Sequence, residues 1–512
     1  MVFITTATTG VVHGLHHCKS LMFSTASLAI VAAIGFPQSA HAESCMGQVC
    51  RYDEVFEANQ ANTISTGNWW MKENSTLNVT SADAITGDSY LSVSDNAVVN
   101  VTAANGISGG IQLFGGTPTL NVNVTDGISG GQLALRGDAV GNFRATRAGS
   151  GQDIQLTRQS VLNVLAEDAI SAHTKIQFVA QSSVGGYLRL NGYSTVVGGI
   201  ASYDGGAGVI ENTGATTSML SVDNSALTSV FSGIIRDGGP GALGLTLLNG
   251  QLRLSGANSY TGGTVINAGT LSISSDANLG AAAGGLTFNG GRLATNASFS
   301  SSRVVLLNAN GTFDVAAGTT LGLTGAISGT GGLVKTGTGT LTLSGVNSYT
   351  GGTTINDGTL TAGASGAFVN NTAYTINGGT LAFNNFNLTM SSLSGTGGMV
   401  AMGLASLNLN QATDTTYAGS LTGTGLIIKT GAGALTLAGD SSNFAGTTVV
   451  AGGTVRVDGT LGHNLAARSG GALTGSGTIT GNADLTNGGV FNGISGQTLH
   501  VGGSLLMDSS SV

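Results

Sequence analysis

The sequence predicts an all-β solenoid, a coil of short strands stacked rung upon rung. Three observations carry that prediction. An Asn-centred motif recurs about every 21 residues in the N-terminal part. A longer Leu/Asn/Tyr motif recurs through the C-terminal half. The composition combines 85 glycines with only 8% charged residues and three prolines.

The first repeat is short and strict. Leu77-Asn78-Val79 leads to Ile85, Val99-Asn100-Val101 to Ile107, Leu120-Asn121-Val122 to Ile128, and Leu162-Asn163-Val164 to Ile170. Asn spacings are 22, 21 and 42, so one rung between Asn121 and Asn163 is too degenerate to see. Such a period describes one coil of short strands and tight corners. A single rung cannot bury its apolar side, whereas a stack shares one continuous core. Rungs stack at the strand-pairing distance of roughly 4.8 Å, which places successive Asn side chains in reach of one another as a ladder. Asp83, Asp126 and Asp168 recur beside the rung Ile and read as turn residues, with Ala104 and Asn105 at the matching corner.

The glycines mark turns in this pattern. Val, Ile, Leu and Thr alternate throughout, whereas disordered chains of similar Gly content lack β-branched residues or carry more charge. Helices are disfavoured because Gly and β-branched residues fall where a helix would suffer most.

The second repeat is longer. Leu252-Arg253-Leu254-Ser255-Gly256 leads to Asn258-Ser259-Tyr260-Thr261-Gly262-Gly263-Thr264 and then Gly269-Thr270-Leu271. It recurs as Leu341-Thr342-Leu343-Ser344-Gly345, Asn347-Ser348-Tyr349-Thr350-Gly351-Gly352-Thr353 and Gly358-Thr359-Leu360. Leu435-Thr436-Leu437-Ala438-Gly439 with Asn443-Phe444-Ala445-Gly446-Thr447 is a looser third copy. Lys335-Thr336-Gly337 and Lys429-Thr430-Gly431 precede the last two. This pattern resembles the autotransporter-associated β-strand repeat, over residues 231 to 462. The resemblance implies a right-handed parallel β-helix, export to the periplasm, and passage through the outer membrane by way of a C-terminal β-barrel. No stretch here has the strands of such a barrel, and the chain stops at Val512 within solenoid-like sequence. A fragment is therefore expected, with the barrel outside it.

Four segments follow. Residues 1–42 read as a signal peptide: Lys19, an apolar run from Leu21 to Phe36 too short to span a bilayer, Pro37, and a small-residue site at Ala40-His41-Ala42. Residues 43–70 read as an N-terminal cap with Cys45 and Cys50. In an oxidising compartment this pair is expected to form a small disulfide loop, since a metal site would lack further ligands. Residues 71–230 carry the short rungs, and 231–512 the longer repeats. About 20 rungs would make a rod of roughly 100 Å.

The net charge of −8 argues against nucleic acid and anionic membrane as partners. No cofactor or metal is expected. Gly87-Asp88-Ser89 superficially matches an esterase or protease serine block, but the partner His and Asp spacing is missing, so it reads as a turn. A β-helix can also host polysaccharide lyases and hydrolases, which need clustered carboxylates; neither repeat stacks acidic positions. Arg136-Gly137-Asp138 falls at a corner when Leu113-Phe114 is aligned with Ala134-Leu135. Integrins bind such a triplet through a cation on the Asp and carboxylates on the Arg. Tyr260, Tyr349 and Phe444 recur with the repeat, either as rings packed on the Gly-Gly corner or as an exposed ladder for carbohydrate.

The expected function is a non-enzymatic adhesin or self-association module at the cell surface or secreted, with a host cell surface, matrix or another copy as partner. A polysaccharide-directed enzyme and a passive stalk for an absent functional region are the alternatives. Cleavage after Ala42 should give exported protein a mature N-terminus at Glu43, which intact-mass analysis reads directly; an N-terminus at Met1 would refute it.

Overall fold

A computed structural model describes residues 49–51, 55–60, 68–86, 90–149, 153–180 and 185–511. The segment expected to be a signal peptide, Cys45 and Gly87-Asp88-Ser89 lie outside them. The described chain is a parallel β-solenoid whose only helical pieces are two single 3₁₀ turns, Asp276–Leu279 and Ala282–Gly284. Every paired strand is parallel to its neighbour in the stack, so each rung bonds to the one below and the one above.

Short rungs have three sides. An eight-stranded sheet stacks strands from Val49–Arg51 to Gly199–Tyr203, and a nine-stranded sheet stacks those from Val55–Ala58 to Ile234–Asp237. The third side is a column of single bridges joining Ile85, Ile107, Ile128, Gly149 and Ile170. Strands such as Thr76–Val79 and Thr119–Val122 alternate half-buried and buried positions, because successive side chains point to opposite faces. Leu77, Val99, Leu120 and Leu162 consequently line the core.

The rung hidden from the sequence is Val140–Phe143. It pairs in register with Thr119–Val122 below and Val161–Val164 above, placing Asn142 between Asn121 and Asn163. Its motif is obscured because Gly141 stands where neighbours have Leu, and Gly149 where they have Ile. Leu135 and Leu162 close over Gly141, since a Cβ there would lie 3.0 and 3.1 Å from them. Phe143, fully buried, supplies bulk where neighbours carry Val.

Asn side chains form the expected ladder. Asn100, Asn121, Asn142 and Asn163 each donate Nδ2 to the Oδ1 of the Asn one rung earlier, all at 2.9 Å. Asn78 ends it by donating to Glu57 at 2.6 Å. The acidic corner residues are turn residues: Asp83, Asn105, Asp126 and Asp168 have φ between 49° and 53°, a left-handed conformation that Asp and Asn tolerate best. Arg147 takes the same conformation and bonds Asp126 at 2.6 Å.

The two repeat systems meet where long bent strands, Ser218–Phe231 and Leu243–Leu254, enter a twenty-stranded sheet that runs from Thr195–Val197 to Leu505–Leu506. The ladder between them shifts register twice. Buried Glu211 ties three rungs together here, through Arg189 at 2.8 Å and Arg236 at 2.7 Å.

The longer repeat spends its polar motif residues on internal bonding. Asn258 accepts from the Ile235 N–H and donates to Asn278 O; Asn347 does the same between Ile327 and Ala367. Each thus bridges the preceding and following rungs. Tyr260 and Tyr349 are buried, with hydroxyls 2.6 and 2.7 Å from Thr264 and Thr353. Phe444 is buried as well. The exposed carbohydrate ladder is therefore excluded: the rings fill the core because the glycine-rich corners are too small to do so. Lys335 is also fully buried, its Nζ donating to the carbonyls of Thr336, Gly337 and Asp357, and Lys429 repeats the arrangement with Thr430, Gly431 and Gly452. Arg303, likewise buried, braces the two 3₁₀ turns through the Asp276 carboxylate at 2.8 Å and the Ala281 carbonyl at 2.6 Å.

Two predictions follow from these ladders. Asn121→Ala removes one donor and one acceptor from a half-buried run, at a cost of about 1 kcal/mol. Hydrogen exchange should quicken at 119–122 and in the two adjacent rungs, leaving the C-terminal sheet unaffected. The second concerns pH. Burial lowers Lys335 from 10.5 to about 8, partly offset by Asp357 and Asp314. Between those values the unfolded chain binds more protons, so stability rises with pH above about 8. Tyr260 and Tyr349 act oppositely. Burial raises them from 10.0 to about 12, so the unfolded chain loses their protons first and stability falls above 10.0. Thermal melts should therefore show a maximum near pH 9 to 10, set by these values, with a smaller rise in Lys335→Met.

Candidate functional site

A surface feature equipped to hold a ligand lies on the eight-stranded side of the short rungs, at the corner that follows each strand. Strands Asn68–Lys72, Tyr90–Val93, Gly110–Leu113, Leu133–Leu135 and Ile154–Thr157 stack there in order. At the corners of Asp95, Gly137 and Arg158 the chain reverses through a four-residue β-turn, with bonds from Ala97 N to Ser94 O, Ala139 N to Arg136 O and Ser160 N to Thr157 O. The residue after the carbonyl is left-handed: Asp95 at φ 58°, Gly137 at 67° and Arg158 at 55°. A Cβ at Gly137 would meet only Gly115 N, at an ordinary 3.8 Å, so its role is conformational.

Arg136-Gly137-Asp138 forms one of these corners. Its register differs by one residue from the sequence alignment. Leu113 pairs with Leu135, so Arg136 stacks on Phe114 instead of lying one position beyond it. The extra residue enters between Ile128 and Leu133, in the connection that precedes the strand, and the longer corner of the Phe114 rung, where Gly115 and Gly116 both take positive φ before Pro118, restores the original spacing at Thr119 and Val140. Asp138 is exposed, while Arg136 is half-buried and does not project freely into solvent. Cys50 lies on the first strand of the same stack, paired with Met71.

Stacking brings together residues that are far apart in sequence. Trp70 and Phe114 meet edge to face, with centroids 5.6 Å apart and planes at 88°. The Lys72 ammonium sits 5.4 Å from the Trp70 ring centroid. Beside them a cavity of about 600 Å³ is lined by Trp70, Gln112, Phe114, Arg136, Asp138 and Arg158. Sequence reasoning found the triplet and missed the aromatic pair and Arg158. The signal was present, because each lies within three rungs of the triplet, but a loose period of 21 or 22 does not fix register closely enough to stack them.

Among the described residues, no group of three or more His, Cys, Asp or Glu side chains comes together as a metal site. No helix there is long and apolar enough to cross a membrane. The corner offers cations, an acceptor and aromatic faces, which suit recognition of a ligand.

Comparison with known proteins addresses the repeats. A family described as the passenger-associated-transport-repeat matches residues 249–273, 333–362 and 427–457. Those segments contain the Tyr260 rung and the two buried-lysine rungs. The Adhesin BmaC autotransporter of Brucella suis biovar 1 (strain 1330) is 38% identical over 292 residues, which is 52% of this chain and 8% of the relative. The chain thus spans a small part of that relative's length. No solved structure matches. With a parallel solenoid bearing three transport repeats and this likeness, the chain is identified as repeat-bearing autotransporter passenger.

Proposed function

We propose that this passenger works as an adhesin or self-association module, displayed at the cell surface or released from it. Its regular repeats would assist passage through an outer-membrane β-barrel translocator. The observation that carries the binding role is the corner around Arg136, Gly137 and Asp138. Cationic, acceptor and aromatic side chains converge there at the surface of a scaffold whose other polar motif residues are committed to internal bonds. A relative carrying the name adhesin agrees with this reading. The triplet is the proposed contact with a host cell or matrix receptor, and Cys45 and Cys50 the proposed disulfide of the N-terminal cap. Nothing in the corner suits the paired-carboxylate chemistry of a polysaccharide hydrolase, since Asp138 is the one acid lining it.

Beads coated with the purified chain test the proposal. They should bind host cells or immobilised matrix, or cluster with one another, and excess soluble chain should compete. Uncoated-bead behaviour in all three assays would overturn it.

A further inference from the structure

We infer that the corner cavity is a binding site for an acidic oligosaccharide, a short glycan carrying carboxylate or sulfate groups. The inference deepens the adhesin reading and rests on it only in supposing that the site meets ligands outside the cell.

The first argument is electrostatic. Seven arginines in the described chain are held by carboxylates at 2.6 to 3.0 Å. Arg136 and Arg158, which line the cavity, have no such partner among the described residues. Arg136 Nε is buried and lacks any acceptor. A buried guanidinium donor without an acceptor costs free energy; Arg136 lines the cavity, and a carboxylate or sulfate there would offset the uncompensated charge of its guanidinium with the fork geometry that Arg favours. Asp95 makes no ion pair with either arginine; its Oδ2 accepts from the Glu73 N–H at 3.2 Å and the Ser94 hydroxyl at 3.3 Å.

The second argument concerns the rest of the ligand. Trp70 and Phe114 offer apolar surface on which the C–H face of a sugar ring can lie. Gln112 and Asp138 supply a donor and acceptors for ring hydroxyls. The volume of about 600 Å³ lies within the range typical of small-molecule sites and has room for a short oligosaccharide. The net charge of −8 disfavours a long polyanion such as nucleic acid, and the edge-to-face rings leave no parallel slot between them for a base.

Calorimetry on the purified full chain tests this with three probes: an oligogalacturonate for carboxylate, a heparin-derived oligosaccharide for sulfate, and a neutral cello-oligosaccharide. At least one acidic probe should bind, more weakly as salt rises, and the neutral one should not. Which acidic probe binds distinguishes the two anion sources. Arg136→Gln with Arg158→Gln should lower affinity about tenfold or more. Phe114→Ala should weaken binding as well, and Arg136→Lys should fall between wild type and Arg136→Gln. Circular dichroism melts should show these surface variants folded. No binding of either acidic probe, equal binding of the neutral one, or indifference to the arginine substitutions would overturn the inference. Persistent cell adhesion alongside any of those results would leave the adhesin reading standing. Oligosaccharide binding without adhesion or clustering would do the reverse.

Discussion

Everything in this chain depends on the parallel hydrogen bonding of each rung to the next. A rung has no partner within itself, so its backbone groups are satisfied only if the rungs above and below keep the same outline. That requirement acts at the corners as much as along the strands. The N–H of Asp83 bonds Asn105 O, that of Asn105 bonds Asp126 O, and that of Asp126 bonds Arg147 O. One left-handed residue per corner, repeated at each level, keeps this column continuous. Residues that adopt the conformation cheaply are therefore reused there, and Arg147 stands out as the exception with a carboxylate partner.

The same constraint explains the buried polar side chains. Where a corner deviates from the outline of its neighbours, backbone groups lose their partner in the stack and side chains replace it. Asn258 and Asn347 reach both ways between rungs. Lys335 and Lys429 gather three carbonyls each around one ammonium, and Arg303 closes the only stretch of 3₁₀ turns in the described chain. The motif by which the transport repeat is recognised is thus largely internal wiring. Its Tyr, Asn and Lys are structural in this molecule, and binding chemistry has to be sought elsewhere, at corners where the side chains are not consumed.

A stack also makes surface sites in a particular way. Residues about 21 apart become neighbours at the strand-pairing distance, so a site can be assembled from one side chain per rung. The corner that joins Trp70, Phe114, Arg136 and Arg158 is built so. Its shape owes much to a small irregularity, one extra residue before Leu133, which sets Arg136 level with Phe114 in the stack until the two-glycine corner restores the register.

Much of this was written in the sequence. Periodic Leu-Asn-Val and Leu-x-Leu segments determined the solenoid, the Asn ladder and the inward faces, because identical rungs stack identical residues and a repeat in sequence is a contact in space. Asp83, Asp126 and Asp168 were legible as corners for the same reason. What tertiary structure alone decided were the departures from the repeat. The rung of Asn142 became visible only through its register, since Leu135, Leu162 and Phe143 together replace the bulk that Gly141 lacks. The burial of Tyr260, Tyr349 and Lys335 was settled by whether a glycine-rich corner leaves space inside, which depends on the neighbouring rungs. Likewise, the company Arg136 keeps depends on a one-residue change in corner length, and one residue is enough to exchange which side chain meets which in the stack.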